Sequence, residues 1–301
     1  MNADITLVVS SCDKYADAWY PYFELLKKYW PDRPEKVCLI TETKDYACDG
    51  LDIKVFNYDE SLTWSERLYN TLAEITTKYI IFSLEDFFLL DYVKQERIDE
   101  CYHWMEENPE IAVCRLVPSD NPNLKKTEHY KDFYIADNSV GYRLDTQIAL
   151  WNRETLMSFI DLSENPWGFE ETGTQRIMDT KKIFLWHHSE DLSKRDNDIV
   201  CYRLVFDGYG ISWGHWLWKN KAWFLQNGIK NVNFRLGVLS ERTVSLRCKY
   251  LYPRDTKGFV RIIKPLWMHI VRIRRIVAMV RLGRKREFLD RLKERMTRAG
   301  K

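Results

Sequence analysis

The sequence predicts an α/β fold: a mostly parallel, Rossmann-like sheet flanked by helices. Three observations carry it. Short, fully apolar runs rich in β-branched and aromatic residues recur along the first half, as strands buried on both faces do. Amphipathic stretches of helical length separate them, the alternation of βαβ units. The third is how these runs end, each passing into small or acidic residues: Ser10-Ser11-Cys12-Asp13, Thr41-Glu42-Thr43 and Glu85-Asp86. In an open α/β sheet those carboxyl ends share one edge, where ligands bind.

Taken in order, Ile5–Val9 is a first strand and Asp17–Tyr29 a helix stopped by Trp30-Pro31. Val37–Ile40 and Ile53–Phe56 are further strands, and Ser65 is placed as the cap of a helix through Thr77. Tyr79–Phe82 is the central strand. The acids Glu85 and Asp86 follow it, inside a segment that turns apolar again at Phe87–Leu90. Two adjacent charges there are costly unless a cation or a set of donors meets them. That points to a phosphate-bearing ligand held through a divalent metal; the plainer alternative has Asp86 capping the next turn and Glu85 facing water. A helix Gln95–Glu107, a strand Ile111–Val117 and a loop Pro118–Lys131 come next. Ser139–Leu150 alternates loosely into a helix starting near Trp151.

In Asn165-Pro166-Trp167-Gly168-Phe169-Glu170-Glu171, two acids sit beside aromatic residues at a turn. Partial desolvation there raises a carboxylate toward the range of a general base. The same pattern also suits a helix start with acids in its first turn. His187-His188 ends a strand-like run, Ile183–Trp186, and is read either as a source of metal ligands or as a solvated turn, with His215 as a rival ligand. Trp213, Trp216, Trp218 and Trp223 read as a packed helix face.

Composition narrows the classes. No GxGxxG or GxxxxGK[ST] is present, against a dinucleotide fold or a P-loop NTPase. Seven scattered cysteines without a CxxC pair suggest reduced thiols in a cytosolic protein rather than a disulfide framework or zinc site. Ile5–Val9 is too short for a signal-peptide core, and nothing approaches a membrane span. The net charge of +2 hides an asymmetry: residues 254–301 carry 16 Lys+Arg and 4 Asp+Glu, whereas residues 1–253 carry 30 and 40. In Phe259–Leu282 a helical wheel gathers Arg261, Lys264, Arg272 and Arg275 on one stripe, with aliphatics largely elsewhere and Trp267 as an anchor. That is the pattern of a helix lying on an anionic membrane surface. Nucleic acid, with a similar charge signature, would not need so many aliphatics; packing onto the body or a dimer partner is the bland alternative.

The series ITLVVSSCDKY, LITET, WSERLYNTLAEITTKYIIFSLEDFFLL, QIALWNRETL and NPWGFEETGT, over residues 4–190, resembles bacterial nucleotide-sugar glycosyltransferases of the GT-A fold that build surface polysaccharides such as capsule, O-antigen or lipopolysaccharide. The resemblance implies a GT-A catalytic domain at 1–253, with a nucleotide part at 1–117, an acceptor part at 118–253 and a membrane-associating tail at 254–301. It implies that Ser10, Ser11, Asp13, Glu42, Arg67, Asn70 and Glu85 contact the donor. It further implies that Asp86, with His187 or His188, binds Mn²⁺ or Mg²⁺ on the donor diphosphate. The family usually writes its acidic pair Asp-x-Asp; here it is Glu85-Asp86. Glu170, with Glu171 second, takes the place of the base in inverting members; a retaining route would need a further acid such as Asp145 or Asp137, which nothing in their spacing supports, and inversion is the favoured reading. The implied partners are a nucleotide-sugar donor, commonly UDP-linked, a lipid-linked glycan acceptor and an anionic membrane on the cytoplasmic side, with no nucleic acid and with homo-oligomerisation left open. The rival functions are a membrane-tethered carbohydrate- or nucleotide-binding module and a nucleotidyltransferase.

Overall fold

The computed structural model describes residues 4–194, 196, 198–202 and 207–245. The basic tail expected at 254–301 lies outside the described residues. Eight strands form the main sheet in the order β3-β2-β1-β4-β7-β5-β8-β6: β1 (Ile5–Ser10), β2 (Lys36–Thr41), β3 (Ile53–Asn57), β4 (Tyr79–Leu84), β5 (Ile111–Ser119), β6 (Phe133–Ile135), β7 (Ala149–Asn152) and β8 (Ile183–His188). Strands β1 to β4, β5 and β8 run parallel, while β7 and β6 run against them. This is the mostly parallel, Rossmann-like α/β sheet expected from the alternation of runs.

Strict period-two patterning places each strand's side chains on two cores. Leu7, Val9 and Ile81 face α1 (Trp19–Tyr29) and α3 (Gln95–Glu107). Val8, Ile80 and Phe82 face α2 (Trp64–Glu74), α4 (Arg153–Phe159) and α5 (Pro166–Arg176). A second, small sheet of β9 (Ile211–Ser212), β10 (His215–Leu217) and β11 (Val238–Leu239) is accompanied by α6 (Asn220–Gln226). Among the described residues no helix is long and apolar enough to cross a membrane.

Several boundaries differ from expectation for local reasons. The helix expected from a Ser65 cap starts two residues earlier, at Trp64. Thr63 Oγ1 accepts from the Glu66 N–H while Glu66 reaches back to the Thr63 N–H, a complete capping box; Ser65 is buried instead. Residues 13–18 form a 3₁₀ turn ahead of α1. Trp151, expected in a helix, belongs to β7, and α4 follows with Asn152 as its cap. The four tryptophans share no helix face: Trp216 sits in β10 stacked on Phe88, Trp223 in α6 stacked on Tyr29, and Trp213 is exposed.

The loop before β7 is locked to α5 at Gly173, where an added Cβ would stand 2.9 Å from Leu144 Cδ1. Leu144 is itself fully buried and has little room to yield. Gly173→Ala is expected to cost about 1–3 kcal/mol, seen as a lower urea midpoint at unchanged m-value.

Candidate active site

Register brings the parallel strands to a common edge. Ser10 pairs with Ile40 on one side and Leu84 on the other, so the loops after β1, β2 and β4 adjoin. Asp13 ties two of them together. Its carboxylate accepts from the backbone N–H groups of Glu42 (3.2 Å), Thr43 (3.1 Å) and Lys44 (3.3 Å) and from Thr43 Oγ1 (2.6 Å). Partial burial pushes its pKa up, but these donors outweigh that and hold it below the usual carboxylate range. Glu42 accepts the Asp13 N–H at 2.7 Å and pairs with the buried Arg67 guanidinium. Ser10 and Ser11 hydroxyls receive the indole N–H groups of Trp64 (2.9 Å) and Trp19 (2.7 Å). Of the residues assigned to the donor, Ser10, Ser11, Asp13, Glu42 and Arg67 thus form one connected rim. Asn70 is exposed on α2 and makes no hydrogen bond to that rim.

Glu85 and Asp86 turn the chain at the end of β4. Glu85 is only 7% exposed. Burial and the adjacent Asp86 charge push its pKa well up, against some relief from the Ser11 hydroxyl. Burial raises Asp86 to about 6, although Oδ2 accepts the Ile211 N–H at 3.0 Å. Asp86 caps no helix: its contact is with β9, 125 residues on. Among the described residues no lysine or arginine appears among the groups that shift either acid. Their negative field is felt by their neighbours. Burial and the Glu85 charge raise Tyr15 to about 12 and, with Glu42 adding, Cys12 to about 11.

A cleft of about 510 Å³ opens beside this edge, lined by Arg115, Asp120, Tyr142, Asp145, Gln147 and Glu170 among others. Glu170 is on α5, whose N-terminus is set by the Asn165 cap and Pro166. Its Oε1 accepts from both the N–H (2.9 Å) and Oγ1 (2.7 Å) of Thr146, and Oε2 has no donor among the described residues. Phe169 points the other way, buried edge-on against Trp64. Trp167 is 68% exposed, so the aromatic setting expected around both acids is not formed. Glu171 is exposed and lies outside the cleft lining.

Asp145 does line the cleft, one residue from the Thr146 that holds Glu170. Burial raises it to about 6; Arg115, whose Nε is 3.3 Å away, opposes the rise and Glu170 adds to it. Asp137 instead closes a surface turn with Ser139 and pairs with Lys125. The sequence reading did not find Arg115, Gln147 or Tyr202. Arg115 and Tyr202 sit in apolar surroundings, and only the fold joins them. Tyr202 stacks on Phe87 (4.2 Å, 15°) and donates to Gln147 Oε1, spanning from the acid pair to the cleft.

The histidines are placed elsewhere. His187 is 2% exposed, tilted against Phe133, and burial lowers it to about 4, so it is neutral. His188 stacks on Tyr134 at 4.0 Å. Both continue β8, paired with β6, because the apolar run before them extends the strand rather than ending in a turn. Strand β8 stands three places from β4, roughly 14 Å at ordinary strand spacing. One ion with ligands at about 2.0–2.6 Å cannot be shared by Asp86 and either histidine, which corrects that assignment. His215 engages the Trp213 carbonyl at 2.9 Å. Among the described residues no three His, Cys, Asp or Glu side chains form a metal-binding group.

The acid pair nonetheless suits a hard divalent ion: one buried and one half-buried carboxylate, with no salt-bridge partner among the described residues. Mg²⁺ in particular is commonly held by one or two carboxylates, with substrate phosphates and water completing its shell.

No protein-family model matches the chain, and no curated protein matches it. Among solved structures it is similar to part of Staphylococcus aureus TarS 1-349, at 12% identity over 62% of this chain and 58% of that one, with a TM-score of 0.38. A mannosyltransferase from Pyrobaculum calidifontis, in complex with GDP-Man and Mn²⁺, gives 14%, 63%, 55% and 0.41. A cytidylyltransferase from Leptospira borgpetersenii gives 10%, 67%, 82% and 0.39. The chain thus spans little more than half the length of the first two. No residue role passes from these proteins to this one.

Proposed function

We propose that the protein is a glycosyltransferase that moves a sugar from a nucleoside-diphosphate donor to a hydroxyl of a glycan acceptor with inversion. The observation that carries this is the arrangement of two carboxylate sites: the Glu85–Asp86 pair, with no salt-bridge partner among the described residues, and Glu170, linked through Phe87, Tyr202 and Gln147. The first suits a diphosphate with its cation and the second a proton acceptor. Sugar transfer by single displacement needs both.

The Ser10–Asp13 loop, Glu42 and Arg67 shape the nucleotide end of the crevice. Glu85 and Asp86 would hold a divalent cation, Mn²⁺ or Mg²⁺, which when bound neutralises charge on the departing diphosphate. Thr146 fixes Glu170 so that Oε2 is presented to the acceptor hydroxyl and takes its proton. Asp145, beside Arg115, orients acceptor hydroxyls across the cleft. The acceptor we favour is a lipid-linked glycan of a surface polysaccharide. The basic tail at 254–301 would hold the protein on the inner face of the membrane, and UDP is the first donor base to test.

The test is a thermal-shift screen of UDP, GDP and CDP and their sugar conjugates, with and without Mn²⁺, followed by product analysis. Binding at a hundredfold excess over Kd stabilises by about 2.7 kcal/mol; a shift that requires both nucleotide and cation is expected. Pyrophosphate release from a nucleoside triphosphate would make the protein a nucleotidyltransferase. Nucleotide binding without turnover on any glycan would leave a binding module.

A further inference from the structure

Tyr142 stands at the cleft with its backbone in the left-handed region, φ 54°. That conformation is unfavourable for any residue with a Cβ and rare for a bulky one. The residue is 57% exposed, and among the described residues its ring stacks on no other and its hydroxyl donates to no acceptor. Strain and exposure together need a cause, and local packing shows how the conformation is enforced. The next residue is fastened to α5: the Arg143 N–H donates to Thr174 Oγ1 at 2.7 Å, and its guanidinium to the Ile177 carbonyl at 2.7 Å. Leu144 is then buried against Gly173. On the other side, the Asp137–Ser139 turn fixes the approach. The backbone is held so that the ring is presented to the cleft. Strain of this kind collects at ligand clamps.

The other aromatic lining residue, Trp186, is unavailable as a platform: it is 4% exposed and covered by the Arg115 guanidinium at 4.4 Å. Besides Tyr142 the cleft is lined by Asp120, Asp145, Glu170 and Gln147. A flat apolar ligand would leave those groups unpaired, and an anion would meet three carboxylates against one guanidinium, Arg115, which Asp145 already pairs. A neutral pyranose satisfies both kinds of group, its C–H face on the ring and its hydroxyls toward the acids and the amide.

We infer that Tyr142 is the stacking platform for an uncharged sugar ring, the terminal residue of the acceptor. Its role as acceptor rests on the transferase reading above; binding of the sugar itself does not. The experiment uses saturation-transfer NMR on the full chain with methyl β-glucoside, methyl β-galactoside, methyl α-mannoside and methyl β-glucuronide, with UDP and GDP binding measured separately. At least one neutral glycoside should bind the wild type more tightly than the glucuronide, and roughly tenfold more weakly to Tyr142→Ala. Tyr142→Trp should retain binding, and nucleotide affinity should be equal in all forms. Tyr142→Gly should lose the glycoside while melting no lower than wild type, since glycine is at ease at this φ. The inference is overturned if no neutral glycoside binds the wild type, if Tyr142→Ala binds equally well, if the glucuronide binds best, or if Tyr142→Gly melts well below wild type. Absence of nucleotide binding in every form would count against the transferase reading and leave the sugar platform standing.

Discussion

Replacing Glu170 by glutamine is expected to lower kcat by about 10²–10⁴-fold, the usual contribution of a positioned general base. The substitution is well suited to the question. Glutamine Oε1 still accepts from the Thr146 N–H and Oγ1, so the side chain keeps its place and α5 its packing. What changes is the other terminus, where a carboxylate oxygen becomes an amide NH₂ that cannot take a proton. Nucleotide affinity, set at the β1–β4 edge, should stay the same and the melting temperature should barely move. Single-turnover measurement with saturating donor separates a slowed chemical step from slowed release. Glu170→Gln with turnover near wild type would remove Glu170 from the base role. Asp145, raised to about 6 and lying in the same cleft, would become its successor, with Asp145→Asn as the matching test.

How much of this arrangement was legible in the chain follows from where each signal originates. The sheet was legible because burial on both faces writes continuous apolar runs, and because βαβ spacing alternates strands with helices. The polar edge of the sheet was legible for a related reason: in parallel strands the residue after the last apolar position falls at the common edge. Ser10, Glu42 and the Glu85–Asp86 pair could therefore be named from sequence alone. Asp13 could be named too, but its role could not, because the four donors that fill its carboxylate come from residues 42–44 of another loop. The histidines misled because a strand that ends in two histidines has the same local sequence as a strand followed by a turn; only its pairing with β6 distinguishes them. Glu170 was found from its helix start, yet for a reason the fold does not supply, since Thr146 rather than Trp167 makes its surroundings. Arg115, Gln147, Tyr142 and Tyr202 carry no local signal. They converge only once β7 is inserted antiparallel between β4 and β5.

Replacing Asp86 by asparagine should do two opposite things, making the cation-free protein more stable and the transferase inactive. Burial raises the Asp86 pKa from 3.8 to about 6, so the folded state binds this proton more tightly than the unfolded chain does. Between those values the folded form carries the extra proton, and stability therefore falls as pH rises, the reverse of a salt-bridged carboxylate. Above about pH 6 the ionised side chain is a standing cost to stability. Asparagine removes that charge and can still accept the Ile211 N–H through its own Oδ1. The variant should match wild type near pH 4 and gain on it as pH rises, both because the Asp86 charge is gone and because its push on Glu85 goes with it; urea midpoints from pH 4 to 8 measure it. Addition of Mn²⁺ with a nucleoside diphosphate should reverse the order, stabilising wild type and leaving Asp86→Asn unmoved, while transfer falls by roughly 10²–10³-fold. A variant less stable than wild type at pH 8 would mean that the acid is already compensated within the fold. An equal Mn²⁺-dependent shift in both proteins would place the cation elsewhere. Desolvated acids without an opposite charge persist where a ligand supplies one, and this pair of measurements asks whether the end of β4 is such a place.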